Sequence, residues 1–210
     1  MDKSNFFEIF KSTKESDLLD LSRELIFQGI PYVFSGDKKA FFLFRKRISD
    51  FWNIHYQDIY ITGSAALGFS IYKDTVFSLD SDIDVAIVSN DLFETILKDI
   101  HLCQLNLRSR KVILSERDTK AYHKFLEYIA MGWIRPDLLP TNLAECIKIL
   151  KDQWFNFFSS ISNGNSEVGN YVVAAGVFKS HLHLEQYTLL GLKAVHLNYQ
   201  IGNSNDTVSP

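Results

Sequence analysis

Three acids at alternate positions, Asp80, Asp82 and Asp84, lead into the apolar run Ile83 to Val88 (IDVAIV). Alternate side chains of an extended strand share a face, so Asp82 and Asp84 point together. Neighbouring carboxylates repel and hold their protons more tightly unless a cation neutralises them. A hard divalent ion does so, and Mg²⁺ commonly takes one or two carboxylates and fills its other positions with water and phosphate oxygens. An acidic strand start that water merely screens has the same spacing. Asp-x-Asp alone favours that plainer account.

The balance shifts at Gly63 and Ser64, which close an earlier β-branched and aromatic run, Asp58 to Thr62 (DIYIT). Glycine lets the backbone turn sharply and admits a ligand close to the main chain. Amides opening a short helix around Ala65 to Leu67 are donors for an anion, and Ser64 adds a hydroxyl. A phosphate cradle beside paired metal carboxylates is what nucleotidyl transfer requires. Two rival motifs fail. Gly63 and Gly68 have P-loop spacing, but Phe69 stands where the phosphate-binding lysine belongs. Asp80, Asp82 and Asp84 match the start of an EF-hand, but Val85 replaces its turn glycine and Asp91 its final glutamate.

The positioning elements follow from periodicity. Ser16 and Asp17 precede a helical stripe of Leu18, Leu19, Leu21, Leu25 and Ile26, ended by Gly29 and Pro31. A second helix opens after Asp37 and places Phe41, Phe44, Ile48 and Phe51 on one face. Strands are expected over Asp58 to Thr62 and Asp82 to Ser89, joined by a long connection, Phe69 to Ser81, that suits a flap. Ser89 to Asp91 cap a helix through Phe93, Ile96 and Leu97. Lys111 to Leu114 reads as a third short strand and Thr119 to Met131 as a helix. Leu143 to Ile161 is an amphipathic helix, Ser162 to Asn170 a loop, and Tyr171 to Tyr199 a helix or helix pair with Gly176 and Gly191 at close contacts.

Strand, Gly63-Ser64, helix, then Ser81 to Val85 (SDIDV) leading a strand: this order resembles the DNA polymerase β-type nucleotidyltransferase superfamily. The resemblance covers roughly Phe41 to Leu139. It implies that Gly63 and Ser64 hold a triphosphate, that Asp82 and Asp84 hold Mg²⁺ or Mn²⁺, and that an NTP is the substrate. The spacer from Ala65 to Ser81 is longer than in minimal relatives. The family also supplies a third carboxylate from a later strand. By pattern that is Asp137, in a stretch (DLLP) similar to that of second-messenger synthases related to oligoadenylate synthase, with Glu116 and Asp118 as fallbacks. Lys179 and Ser180 resemble a Lys-Ser pair with which some relatives contact nucleotide phosphates. Lys73 could reach a triphosphate, and Tyr72 or Phe77 could stack on a base, although packing is the commoner fate of such rings. His181 and His183, two apart on a helix, do not face each other and make no metal pair.

With 46% hydrophobic and 22% charged residues, the 210-residue chain can bury a sizeable core. A net charge of −3 argues against a basic nucleic-acid binder, and clusters such as Arg45 to Arg47 or Arg108 to Lys111 read as solvated faces. Cys103 and Cys146 have no metal-ligand spacing and suit a reducing cytoplasm. No apolar run is long enough to span a membrane. The expected protein is α+β, a small mixed β-sheet with flanking helices. Its parts are an N-terminal helical segment (1–36), a nucleotidyltransferase-like core (37–139), a C-terminal helical region (140–202) and a disordered tail (203–210). The expected activity is transfer of NMP to a hydroxyl acceptor on another nucleotide, a tRNA end, a protein or an antibiotic, with a tilt towards prokaryotic stress or phage defence. The other outcomes are a catalytically inactive nucleotide-binding sensor or partner-binding protein of the same fold without the third carboxylate, and a helical interaction domain with a merely exposed acidic strand.

Overall fold

A computed structural model describes residues 2–73, 75–140, 143, 146, 147 and 149–205. The elements run α1 (Lys3–Ser12), α2 (Leu18–Ser22, continuing in a wider turn over Arg23–Phe27), α3 (Lys38–Trp52), β1 (Ile59–Thr62), α4 (Gly63–Leu67), β2 (Ile83–Val88), α5 (Asn90–Arg108), α6 (Glu116–Ala130), β3 (Trp133–Ile134), α7 (Phe155–Ser160), β4 (Val173–Phe178) and α8 (His181–Asn205). The four strands form one mixed sheet in the order β1-β2-β4-β3, with β2 and β4 parallel and both outer pairs antiparallel. The fold is α+β. Among the described residues, no helix is long and apolar enough to cross a membrane.

Strand alternation divides the sheet into two faces. Ile59, Ile61, Ile83, Val85, Ile87, Val173 and Val177 point into the main core, against Phe44 and Ile48 of α3, Phe93 and Ile96 of α5 and Phe125 of α6. On the opposite face, Ala86, Val88 and Phe178 are covered by Leu184 of α8, with Phe27, Tyr60 and Trp133 at the margin. The cover stops short of Asp84. A third cluster joins Phe6, Phe7 and Phe10 of α1 to Leu18, Leu21, Phe69, Ile71 and Leu192. It ties the connection after α4 to the N-terminal helices and α8.

The helix starts obey their caps. Asp37 accepts from the amides of Lys39 and Ala40, and Ser89 from that of Leu92. Five expectations change. Trp52, not Phe51, is the buried end of the α3 stripe; Phe51 is half exposed and stacks on Phe157 at 4.1 Å. Lys111 to Leu114 forms no strand. The helix expected over Tyr171 to Tyr199 is instead a strand followed by a helix, because β4 inserts between β2 and β3. Gly176 therefore serves strand packing: a methyl group there would lie 2.5 Å from Trp133 Nε1 and 3.1 Å from the Ile134 carbonyl oxygen. In place of one helix over Leu143 to Ile161, the described part has wide turns at Leu150–Trp154 and then α7; residues 144, 145 and 148 lie outside the described residues. Residues 203–205 of the expected tail belong to α8, and 206–210 lie outside the described residues.

The flap expectation resolves into a small hairpin. Phe69 bridges Val76, and the amides of Ser70 and Phe77 bond to the carbonyls of Thr75 and Gly68. Phe69 and Ile71 anchor it in the aromatic cluster, while Tyr72 and Lys73 remain on the outside.

Candidate functional site

Thr62, the last residue of β1, pairs with Asp84 of β2. The chain then turns into α4 through Gly63 at φ +64°, the left-handed region that glycine enters without penalty. A Cβ at Gly63 would lie 2.7 Å from Oδ2 of Asp84. The carboxylate therefore rests on the bare Cα of the glycine, and the turn into α4 and the acidic strand meet at one point. The short helix closes with the Gly68 amide bonding to the Ser64 carbonyl at 2.8 Å. Gly68, at φ +89°, lies under the Tyr32 ring.

Asp82 and Asp84 are exposed while Ile83 between them is fully buried, so the two acids share a face. Asp84 touches water and yet has protein crowded around it. That burial, followed by the charge of Asp82, raises its pKa above the ordinary 3.8. Arg135 and Lys73 act in the opposite direction, and Asp137 adds to the increase. Five charged groups from three segments thus feel one another here. Across the sheet, Ala174 of β4 is the partner of Asp84, and its side chain is small and exposed.

Two tyrosines lie in succession from the acids, Tyr187 within reach of the Asp84 charge and Tyr72 within reach of Tyr187. Tyr187 of α8 packs on Trp133 with ring centroids 4.2 Å apart, and burial raises its hydroxyl pKa, with Asp84 and Asp137 contributing. Tyr72 of the hairpin lays its hydroxyl on Gly191, where a Cβ would come within 2.2 Å, and burial pushes its pKa up to about 12. Gly191 thus admits a hairpin ring and not a neighbouring helix.

Asp137 lies in a short 3₁₀ turn, Pro136–Leu138, immediately after β3. It belongs to the Asp84 neighbourhood, but its carboxylate is engaged by Arg135 through both Nε and Nη2. Arg135 in turn lies over the rings of Tyr128 and Trp133, at 5.5 and 5.1 Å. The fallback acids do other work. Glu116 pairs with Lys120, and Asp118 bonds with Ser115 at the start of α6.

Lys179 and Ser180 are not brought to the acids. They follow Phe178, the partner of Val88, whereas Asp84 pairs with Ala174. Five residues of strand put Lys179 roughly 16 Å further along the sheet. Its ammonium bonds to Glu94 at 2.7 Å and lies over the Phe93 ring, and Ser180 bonds to His183. His181 contacts the Tyr60 hydroxyl, so the two histidines diverge as expected. The basic cluster in α3 is also spent locally: Arg45 lies 4.0 Å over Phe41, Lys46 pairs with Asp50 and Arg47 with Glu167.

Among the described residues, no three His, Cys, Asp or Glu side chains converge as metal ligands. The donor set at Asp82 and Asp84 nonetheless fits a hard cation that arrives with phosphate, since such an ion needs only one or two carboxylates from the protein. The space beside Gly63 that a Cβ would fill is taken by the Asp84 carboxylate itself, so the glycine serves to seat that acid against the turn. No family model, curated protein or solved structure matches the chain. Sequence reasoning missed Arg135 and Tyr187. For Arg135 there was a signal, a cation two residues before Asp137; for Tyr187 there was none, because its place depends on how α8 crosses the sheet.

Proposed function

We propose that the surface formed by Asp82, Asp84 and the Gly63 turn binds a nucleoside triphosphate with Mg²⁺ or Mn²⁺ and transfers NMP to a hydroxyl acceptor. The observation that carries the reading is the seat of the Asp84 carboxylate on Gly63, which sets the acidic pair beside the turn into α4. The reaction would form a bond from the acceptor oxygen to the α-phosphorus and break the bond to the bridging oxygen, with pyrophosphate leaving. Asp82 and Asp84 would hold the ion, which when bound neutralises phosphate charge and lowers the pKa of the attacking hydroxyl. Gly63 and Ser64 would position the β- and γ-phosphates. Asp137, once free of Arg135, is the nearby acid able to accept the acceptor's proton.

A second reading, nucleotide binding without transfer, is favoured by one feature: Ala174 stands opposite Asp84, where the adjacent strand offers no third acid. One experiment separates the two. The protein is incubated with each α-³²P-NTP and Mg²⁺ or Mn²⁺, alone and with tRNA or lysate, beside an Asp82→Ala/Asp84→Ala control. Label moved by the wild type alone supports transfer and names the acceptor. Metal-dependent binding without label transfer supports the sensor. Neither binding nor transfer contradicts both readings.

A further inference from the structure

The third acid is present but occupied. Asp137 and Arg135 come from one short segment, and the two-pronged contact between them uses the geometry with which guanidinium binds either carboxylate or phosphate. Their side chains are 58% and 31% exposed, the regime in which an ion pair contributes little and readily changes partners. Arg135 does not depend on Asp137 for its position, because the Tyr128 and Trp133 rings support its guanidinium. β3 runs antiparallel to β4 with Ile134 opposite Val177, so the chain that follows it heads for the level of Ala174, the partner of Asp84, and the Arg135 charge acts on Asp84.

We propose that the Arg135–Asp137 pair is a latch on the carboxylate site. An incoming polyphosphate takes Arg135, and the released Asp137 turns to the cation beside Asp82 and Asp84. The inference rests on the nucleotide reading and adds its regulation. Cation alone meets an acid pair whose third member is engaged, with a guanidinium charge beside it. Nucleotide alone meets a guanidinium that is already satisfied. Each ligand removes the partner that hinders the other, so the two bind cooperatively, and the coupling is reciprocal.

The test measures Mn²⁺ alone by electron paramagnetic resonance, and metal-free NTP in EDTA by equilibrium dialysis, on wild type, Arg135→Gln and Asp137→Asn. Arg135→Gln is expected to bind Mn²⁺ about five- to tenfold more tightly and nucleotide about tenfold more weakly. Asp137→Asn is expected to bind nucleotide more tightly and Mn²⁺ no better than wild type. A purely structural role would weaken both ligands in both variants and would overturn the latch, as would unchanged Mn²⁺ affinity in Arg135→Gln. If that variant does not fold, Arg135→Lys keeps the charge and loses the fork, and the same directions are expected at smaller factors. Nucleotide binding by the wild type without the opposed shifts removes the latch alone. Absence of Mn²⁺ and nucleotide binding in every protein removes the nucleotide reading and the latch with it.

Discussion

The two ends of the sheet carry charged and polar groups in opposite states. At the Phe178 end, Lys179 is paired with Glu94, Ser180 with His183, and His181 with the Tyr60 hydroxyl; Arg23 nearby grips Glu185 through two nitrogens. At the Gly63 end, Asp82 and Asp84 face one another's charge, Asp84 is partly desolvated, and the nearest acid is held by a weak, exposed pair. The comparison teaches that residue type does not mark a site. What marks it is electrostatic work left undone, and of these two ends the Gly63 end is the one left in that state.

The largest expected effect breaks the open end. Asp82→Asn with Asp84→Asn should lower metal-dependent NTP affinity on the order of a hundredfold or more, with the circular dichroism spectrum unchanged. At the closed end the expected effect is on stability. Gly176→Ala forces its methyl against the Trp133 indole and the Ile134 carbonyl, and should cost about 1–3 kcal/mol in urea unfolding. Nucleotide affinity per folded molecule should fall much less than in the double acid variant, because the contact reaches the acids only indirectly, through Trp133 and the Arg135 it supports.

Gly63→Ala lies between these cases. The left-handed backbone should cost about 1–2 kcal/mol. The steric partner is the tip of the Asp84 side chain, which can swing aside. The loss should therefore be larger in Mn²⁺ and NTP binding, measured by dialysis, than in stability. A variant that unfolds yet binds normally in its folded fraction would show that the contact does not matter for the ligand.

What the sequence made legible follows the same division. The two strands, the Gly63 turn and the alternation of Asp82 with Asp84 are local properties, written in periods of two and in one glycine. The central place of β4 is not local. Val173 to Phe178, with two alanines and a glycine, continues the helical spacing of the residues after it, and only parallel pairing with β2 some ninety residues earlier makes it a strand. That pairing also decides that Ala174 faces Asp84 and that Lys179 and Ser180 lie away from it, a placement no short window contains. Asp137 was legible by pattern, but its capture by Arg135 was not, since spacing says nothing about which partner a side chain finds.

Smaller effects sharpen the contrast. The raised pKa of Asp84 means that the folded protein holds this proton more tightly than the unfolded chain. Stability from Asp84 therefore falls as pH rises from 3.8 through the raised folded value. Above that window Asp84→Asn should be more stable than wild type by about 1 kcal/mol or less, given solvent screening, as read in thermal unfolding. Mn²⁺ affinity of the wild type should fall in the reverse direction, as acidification through the same range returns the proton. Lys179→Ala should do least: within about 1 kcal/mol in stability and twofold in NTP affinity. A tenfold loss of affinity would bring Lys179 back to the nucleotide and undo the contrast between the two ends.

The most direct test of the open end is equilibrium dialysis of each NTP with and without Mn²⁺, on wild type and on Asp82→Ala/Asp84→Ala. The account predicts binding that needs the metal and disappears in the double variant. Nucleotide held equally well by the double variant, or by neither protein, would contradict it.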